Sequence, residues 1–390
     1  MDVTTVSDHA ALHALCRRVE GAERIALDTE FHGENSYVPR LMLLQLAFDD
    51  GVVLVDPLAV PDLTPLARAL SVRPLIGHAL FSDFRIFYER FGELPQRIFD
   101  TQVAAAFCGY GASISLADLV RELVHVRLRK SHTVSDWSIR PLSPGQIEYL
   151  VDDVIHLIPL YERIRATLTD LGRLSWAEAE CRTLLDPARY RVDSDRLYLK
   201  VSGSQRLSRR EMAILSELAQ LRESVARERD VPLRYVASDD VLVAIAAQRP
   251  KTMNDLNAVR RLTEQTKRGL GKRLLEAVAA GESWPEEQLP PKPQRGLDAG
   301  REALVTLMSV VTGSIAAAQQ LPTSLLVPRA ALERVARELP PDLASFSEVL
   351  GLSDWRIDLV GEPLWRLVSG ECKIAVRGYE AGAPELAIDP

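Results

Sequence analysis

Apolar and polar positions alternate along the chain with periods that predict its elements. Ser7 or Asp8 stands ready to cap a first helix, whose apolar face is Leu12, Leu15 and Val19 and which stops at Gly21. Arg24 to Phe31 (RIALDTEF) is an apolar run with two acids set into it and predicts a strand. Leu41 to Phe48 (LMLLQLAF) is almost continuously apolar, as expected of a strand covered on both faces. The turn Asp49-Asp50-Gly51 leads into a third strand at Val52 to Val55. From about residue 62 the pattern alternates: a helix near 62–70, a strand at Pro74–Gly77, a helix at 81–91, a strand at 97–99, then helical segments to about 170. Hairpin-linked strands followed by alternating units predict a mixed α/β sheet flanked by helices. Beyond about residue 200 the strand signals mostly vanish. Ser208 to Arg229 predicts an amphipathic helix with Leu215, Leu218 and Leu221 on one side. The proline-rich stretch Pro285 to Pro293 (PEEQLPPKP) predicts an extended linker.

The last third repeats itself at an offset of 90 residues. Val231-Pro232 aligns with Leu321-Pro322, Tyr235-Val236 with Leu325-Leu326, and Val241-Leu242 with Ala331-Leu332. Pro250 meets Pro340, Gly271 meets Gly361, Leu274 meets Leu364 and Val278 meets Val368. Apolar and chain-breaking positions agree while surface positions do not, which predicts one helical fold used twice.

Length and composition narrow the class. A chain of 390 residues exceeds one ordinary core and implies two or three domains. Hydrophobic residues at 47% and charged residues at 26% are those of a soluble globular protein. No apolar run approaches the roughly 20 residues that cross a bilayer, and no basic segment precedes an apolar one at the N-terminus, so neither a membrane span nor a signal peptide is expected. Cys16, Cys108, Cys181 and Cys372 lie far apart, without metal-knuckle spacing, and a reducing cytoplasm is expected. A net charge of −7 argues against coating nucleic acid by bulk charge, yet residues 204–284 hold 15 Lys and Arg against 11 Asp and Glu. There the cluster Arg260, Arg261, Lys267, Arg268, Lys272 and Arg273 is either a face for a nucleic-acid backbone or a solvated helix surface.

The acids in the apolar segments are the candidate chemistry. Asp28 and Glu30 stand two apart in a strand and so point to one face. Burying two carboxylates side by side is costly unless a cation pairs them, although a strand end also exposes such pairs. Asp83 follows Gly77-His78 at the start of a helix, where a charge also suits the helix dipole. Tyr149 and Asp153 lie four apart in QIEYLVDDVIHLIPLY and share a helix face.

Together, DTEF, then HALFSDF, then YLVDD resemble the three motifs of the DEDD superfamily of 3′-5′ exonucleases, tyrosine subclass. The flanking text FDTQVAAAFCGYG and RKSHTVSDWSIRPLSPGQIEYLVDDV looks like the ribonuclease D family, with the likeness running over about residues 20–165. The helical repeat resembles the HRDC domain, clearly over 204–284 and faintly over 296–378. The resemblance implies a ribonuclease H-like exonuclease domain at 1–200, an HRDC domain at 204–284, a linker at 285–295, a second, divergent HRDC-like domain at 296–378 and a tail at 379–390. It implies that Asp28, Glu30, Asp83 and Asp153 bind two divalent cations, Mg²⁺ or Mn²⁺, and that Tyr149 positions the attacking water. Hard oxygen ligands favour those ions, and a pair of them about 3.5–4 Å apart activates a water and stabilises a leaving alkoxide. It also implies release of nucleoside 5′-monophosphates from RNA, transfer-RNA precursors above all, by a monomer with no membrane attachment. His156 departs from the aromatic common among related sequences and is expected to be a packing variant.

Other residues keep two readings each. Phe31 stacks on the terminal base or fills the core. Gln45 is a polar group near the substrate or a satisfied buried amide. His78 contacts phosphate or sugar, or bonds the nearby turn. Arg40, Arg129 and Lys130 contact phosphates or are solvated surface charges. Trp137 stacks or packs, and Asp56 and Asp100 suit turns or caps better than ligation. The same site would serve a DNA exonuclease, because no residue here discriminates the 2′-hydroxyl. A non-catalytic nucleic-acid scaffold would predict a broken acidic set, whereas all five motif positions are intact.

Overall fold

Strand β1 (Asp2–Val6) runs parallel to β4 (Gly51–Val55), an edge pairing that the sequence did not suggest because only Val6 of its residues is buried. The computed structural model describes residues 2–128, 135–291, 296–352, 355–377 and 385–389. Between β1 and β4 come α1 (His9–Gly21), β2 (Ile25–His32) and β3 (Arg40–Phe48). Asp8 caps α1 by accepting the Ala11 N–H at 2.8 Å, and Leu12, Leu15 and Val19 are buried as their spacing predicts. After β4 follow α2 (Thr64–Ser71), β5 (Pro74–Gly77), α3 (Phe81–Phe91), β6 (Arg97–Asp100), α4 (Thr101–Phe107), α5 (Leu116–Leu123), α6 (Pro144–Ile155), α7 (Leu157–Asp170) and α8 (Leu174–Arg182).

The six strands form one mixed sheet in the order β1-β4-β3-β2-β5-β6. β2 is antiparallel to β3 and parallel to β5, and β3 is antiparallel to β4. Strand periodicity sorts its residues cleanly. Ile25, Leu27, Leu44, Leu46, Val53 and Val55 face one core with α1, α2 and α3. Ala26, Leu43, Ala47, Val52 and Leu54 face the other, beneath Leu150 and Val154 of α6. Asp28 and Glu30 belong to the second face, opposite Gln45 and Leu43. Gly77 permits the tight passage from β5 towards α3, since a Cβ there would lie 2.3 Å from Leu80 Cδ2 and 3.0 Å from the Leu27 carbonyl oxygen.

Two helical units follow. The first comprises α9 (Arg209–Arg229), α10 (Leu233–Val236), α11 (Asp239–Gln248), α12 (Met253–Asn257) and α13 (Glu264–Glu282). Ser208 and Glu211 form a capping box at its start. The second comprises α14 (Ala299–Ala318), α15 (Thr323–Leu326), α16 (Arg329–Glu338), α17 (Leu343–Leu350) and α18 (Glu362–Val368). The offset of 90 recurs in the backbone itself. The left-handed residues Asp230, Arg249 and Arg261 are matched by Gln320, Leu339 and Gly351. A short hairpin of β7 (Lys373–Arg377) and β8 (Glu385–Asp389) follows, its second strand lying within the segment read as a tail.

The two units sit differently. The first has its own core, from Leu197 to Val278. The second shares one continuous core with α4–α8, where Val305, Met308, Leu332 and Phe346 join Phe107, Leu119 and Ile164. Trp355 stacks on Trp176 of α8 with centroids 4.5 Å apart and meets Phe107 edge-on. Arg356 pairs with Glu180, and Arg173 donates to the Phe107 and Gln319 carbonyls. α14 is long and apolar enough to cross a membrane by length and composition, contrary to the expectation that no segment approaches that length. It buries Val305, Met308, Val311, Thr312 and Ala316 inside the protein.

The stretch expected to be an extended linker is strapped down where it is described. Residues 286–288 form a short turn, and Arg209 of α9 donates to the carbonyls of Glu286, Leu289 and Pro290.

Candidate active site

Three elements bring the acids together. β2 supplies Asp28 and Glu30 on one face, α6 crosses over that face with Tyr149 and Asp153, and α3 contributes Asp83 in its first turn. Carboxylate oxygens of Asp28, Glu30 and Asp153 lie within 4.8 Å of one another. Asp83 stands beside this group and accepts a hydrogen bond from the Thr29 hydroxyl. Tyr149 is hydrogen-bonded to Asp153, as residues four apart on one helix face allow.

The electrostatics are those of negative charge without compensation. Among the described residues no Lys or Arg is paired with any of the four acids. Burial, followed by repulsion from Asp83, Asp153 and Glu30, holds the Asp28 carboxyl well above the usual carboxylate range. Burial and the charges of Asp153 and Asp83 push Glu30 up to about 8. Burial raises Asp83 and Asp153 to about 6, against the hydrogen bonds from Thr29 and Tyr149. Burial and the neighbouring acids raise the Tyr149 phenol far above its ordinary value. Such a set is stabilised by divalent cations, and an all-oxygen donor group suits Mg²⁺ or Mn²⁺ rather than a soft metal.

Beside Glu30 opens a cavity of about 830 Å³, lined by Phe31, His32, Arg40, Met42, Trp137 and Ser138 among others. A register shift between Glu30 and Phe31 is a bulge that re-aims the strand there. Phe31 is 37% exposed, so it faces this space rather than filling the core. Arg40 is exposed on the same wall, and its guanidinium pairs with Asp230 at 3.1 Å.

Two expectations change, and His78 falls on the second of its two readings. Gln45, read as near the substrate or as a satisfied amide, is completely buried beneath the site, and among the described residues both polar atoms of its amide lack partners. His78 is not free for a phosphate. Its Nε2–H donates to the Ile114 carbonyl at 3.1 Å, and Nδ1 lies 2.9 Å from the Thr101 hydroxyl. The basic cluster of the first helical unit is largely compensated: Lys267 is buried and bonds Glu264, Arg261 pairs with Asp240 and Arg273 with Glu228. Arg129 and Lys130 lie outside the described residues. His156 is partly buried between α6 and α7, and burial lowers its pKa.

The turn containing Trp137 supports the acids directly. Trp137 is buried, its indole hydrogen-bonds Glu30, and its ring lies 5.7 Å from that of Tyr149. Arg140 locks this turn by a two-pronged grip on Asp56 at 2.6 and 2.9 Å and by donating to the carbonyls of Trp137 and Met42. Burial pushes the Asp56 carboxyl up, but Arg140 and the Leu58 and Ala59 amides outweigh it and hold it below its ordinary value. The stretch SDWSIRPLS carried both residues, but an aromatic beside a turn gives no sign of which carboxylate it will meet. Asp100 is a cap, as expected, and accepts the Gln102 and Val103 amides of α4 as well as those of Ala79 and Leu80.

Comparison with known proteins agrees with this architecture. Residues 3–169 match the family model of the 3′-5′ exonuclease domain, and residues 211–278 match the HRDC domain. Ribonuclease D of Acidiphilium cryptum is 36% identical over 384 residues, covering 96% of this chain and 95% of that protein. Ribonuclease D of Escherichia coli K12 is 32% identical over 376 residues, covering 94% and 99% respectively. The crystal structure of Escherichia coli RNase D, described as an exoribonuclease involved in structured RNA processing, superposes with a TM-score of 0.83. It is 30% identical and covers 95% of this chain and 99% of that one.

Proposed function

The chain belongs to the ribonuclease D family and is a 3′-5′ exoribonuclease, and on that premise we propose that it matures the 3′ ends of structured RNA, transfer-RNA precursors foremost, by hydrolysis at the four-carboxylate site. The products are nucleoside 5′-monophosphates, and the enzyme works as a monomer in the cytoplasm. The observation that carries the reading is the convergence of Asp28, Glu30 and Asp153 within 4.8 Å, next to the cavity that Glu30 lines.

Each residue has a task. Asp28, Glu30 and Asp153, with Asp83 beside them, hold two divalent cations, Mg²⁺ or Mn²⁺. When bound, these supply a water of lowered pKa and charge stabilisation for the departing 3′ oxygen. Asp28 is central, because the charges of all three other acids act on it. An ordinary phenol, with a pKa of about 10, keeps its proton at neutral pH, and Tyr149 is held against Asp153 by a hydrogen bond. It therefore orients the attacking water by hydrogen bonding rather than by taking a proton. Trp137 fixes one oxygen of Glu30 and leaves the rest of that carboxylate for ligation. Phe31 offers its ring to the terminal base, and Arg40 its charge to the backbone phosphate.

The test is timed digestion of a 5′-labelled transfer-RNA precursor with a 3′ extension, beside matched single-stranded DNA, with Mg²⁺, Mn²⁺ or EDTA. A ladder shortening from the 3′ end on RNA, dependent on the ion and lost in Asp28→Asn, is expected, with a loss of about 10²–10³-fold from removing a charge that would hold the cations. Equal digestion of DNA would replace the RNA assignment. Normal turnover by Asp28→Asn would sink the scheme.

A further inference from the structure

Gln45 is a buried polar side chain that the reaction as described leaves idle. It lies in the middle of β3, flanked by Leu44 and Leu46, and is 0% exposed. Leu43, Ala47 and Leu54 surround it in the sheet layer, under Leu150 and Val154 of α6. Among the described residues neither Nε2 nor Oε1 has a hydrogen-bond partner. An amide stranded in an apolar layer is a standing cost that a methionine or leucine would remove, so its presence asks for a function.

The strand register names the group it serves. Gln45 is the cross-strand partner of Asp28. Side chains of such partners lie on the same face, with Cβ atoms roughly 4.5–5.5 Å apart, close enough for one water to join a glutamine amide to an aspartate carboxylate. Glu30 and Asp153 have their own supports in Trp137 and Tyr149, and Asp83 has Thr29. Asp28, the most encumbered acid, has no side-chain donor among the described residues. We propose that Gln45 is the positioning residue of Asp28: through one buried water its Nε2–H₂ donates to an Asp28 carboxylate oxygen and holds the orientation in which Asp28 would ligate the cations.

The inference rests on Asp28 as a cation ligand. Partners that orient a ligand in this way typically carry about 10–100-fold in metal affinity or rate. The experiment uses the full chain and two substitutions. Gln45→Met keeps shape and removes the donor; Gln45→His keeps a donor of similar reach. Mn²⁺ binding is read by calorimetry without RNA, the melting temperature by scanning in EDTA, and kcat and KM on a 5′-labelled oligoribonucleotide. For Gln45→Met the expected result is a melting temperature equal to or above the parent's, Mn²⁺ affinity and kcat each lower by about tenfold, and KM within about twofold. Gln45→His should recover part of both losses. Parent-like affinity and turnover in Gln45→Met would overturn the proposal. So would a lowered melting temperature with the activity loss shared equally by both variants, because the amide would then be merely structural. An inactive parent whose Mn²⁺ binding still depended on Gln45 would sink the exoribonuclease reading and leave this proposal standing.

Discussion

The two helical units share one backbone plan and have opposite relations to the catalytic domain. The second is joined to it by apolar burial: Trp355 lies against Trp176 and Phe107, and a single core runs from Leu119 to Phe346. The first is tied by polar contacts to the loop that leaves β2 beside the active site. Tyr37 bonds Glu223 and Arg227, Arg40 pairs with Asp230, Arg234 donates to the Glu34 carbonyl and Tyr235 to Asn35. Apolar seams give stability, whereas exposed ion pairs give orientation at little energetic gain. The difference teaches that a duplicated fold was put to two uses, one completing the nuclease core and one holding a wall of the cavity beside Glu30.

Three measurements break or sharpen this contrast. The largest effect is expected from Trp355→Ala, which leaves a void between α8 and the second unit and should cost about 3–5 kcal/mol in urea unfolding of the nuclease transition. An independent, early melting of the second unit with an unchanged nuclease would refute the shared core. The next effect separates the bodies by pH. Glu30 at about 8, and Asp83 and Asp153 at about 6, are all raised above their ordinary values. Their stabilisation is therefore complete below the ordinary carboxylate range and is lost as pH rises through about 6 and then about 8. In EDTA the nuclease transition should fall by several degrees from pH 5 to pH 9, while the first helical unit, which holds none of these acids, should not follow it. Saturating Mg²⁺ or Mn²⁺ should flatten the slope. A flat profile in EDTA would contradict the electrostatic picture. The smallest effect is expected at the polar tie. Tyr37→Phe combined with Asp230→Asn should change unfolding free energy by about 1 kcal/mol or less. The same variant should slow trimming of a structured precursor more than that of a short single strand.

Much of this was legible in the sequence, for physical reasons that differ between parts. β3 was visible because a strand buried on both faces must be apolar throughout, and α1 and α9 because a polar cap precedes a periodic apolar face. The acids were visible because ionisable groups are rare in such segments. β1 was hidden because an edge strand buries almost nothing, and α14 because Arg301, Glu302 and its hydroxyl residues interrupt the apolar count. The grip of Arg140 on Asp56 spans 84 residues and leaves no local trace. The compensation of Lys267 and Arg273 by acids on the same unit could not be read from a tally of charges. The sequence left Gln45 between a polar group near the substrate and a satisfied amide, and only the register against Asp28 gives it a neighbour.

The shared core has a consequence for how the enzyme is made. Because residues of α14–α18 complete a hydrophobic body begun by α4–α8, the first helical unit is in effect an insertion within one folding body. A ribosome releasing this chain from its N-terminus exposes the surface around Phe107 and Trp176 while the whole insertion is synthesised. It can be covered only when Phe346, Trp355 and Leu364 emerge. The nascent protein therefore passes through a long interval with an open apolar seam, the circumstance in which chains engage chaperones or one another. Shortening the protein from its C-terminus would make that interval permanent, whereas looping out the insertion would not.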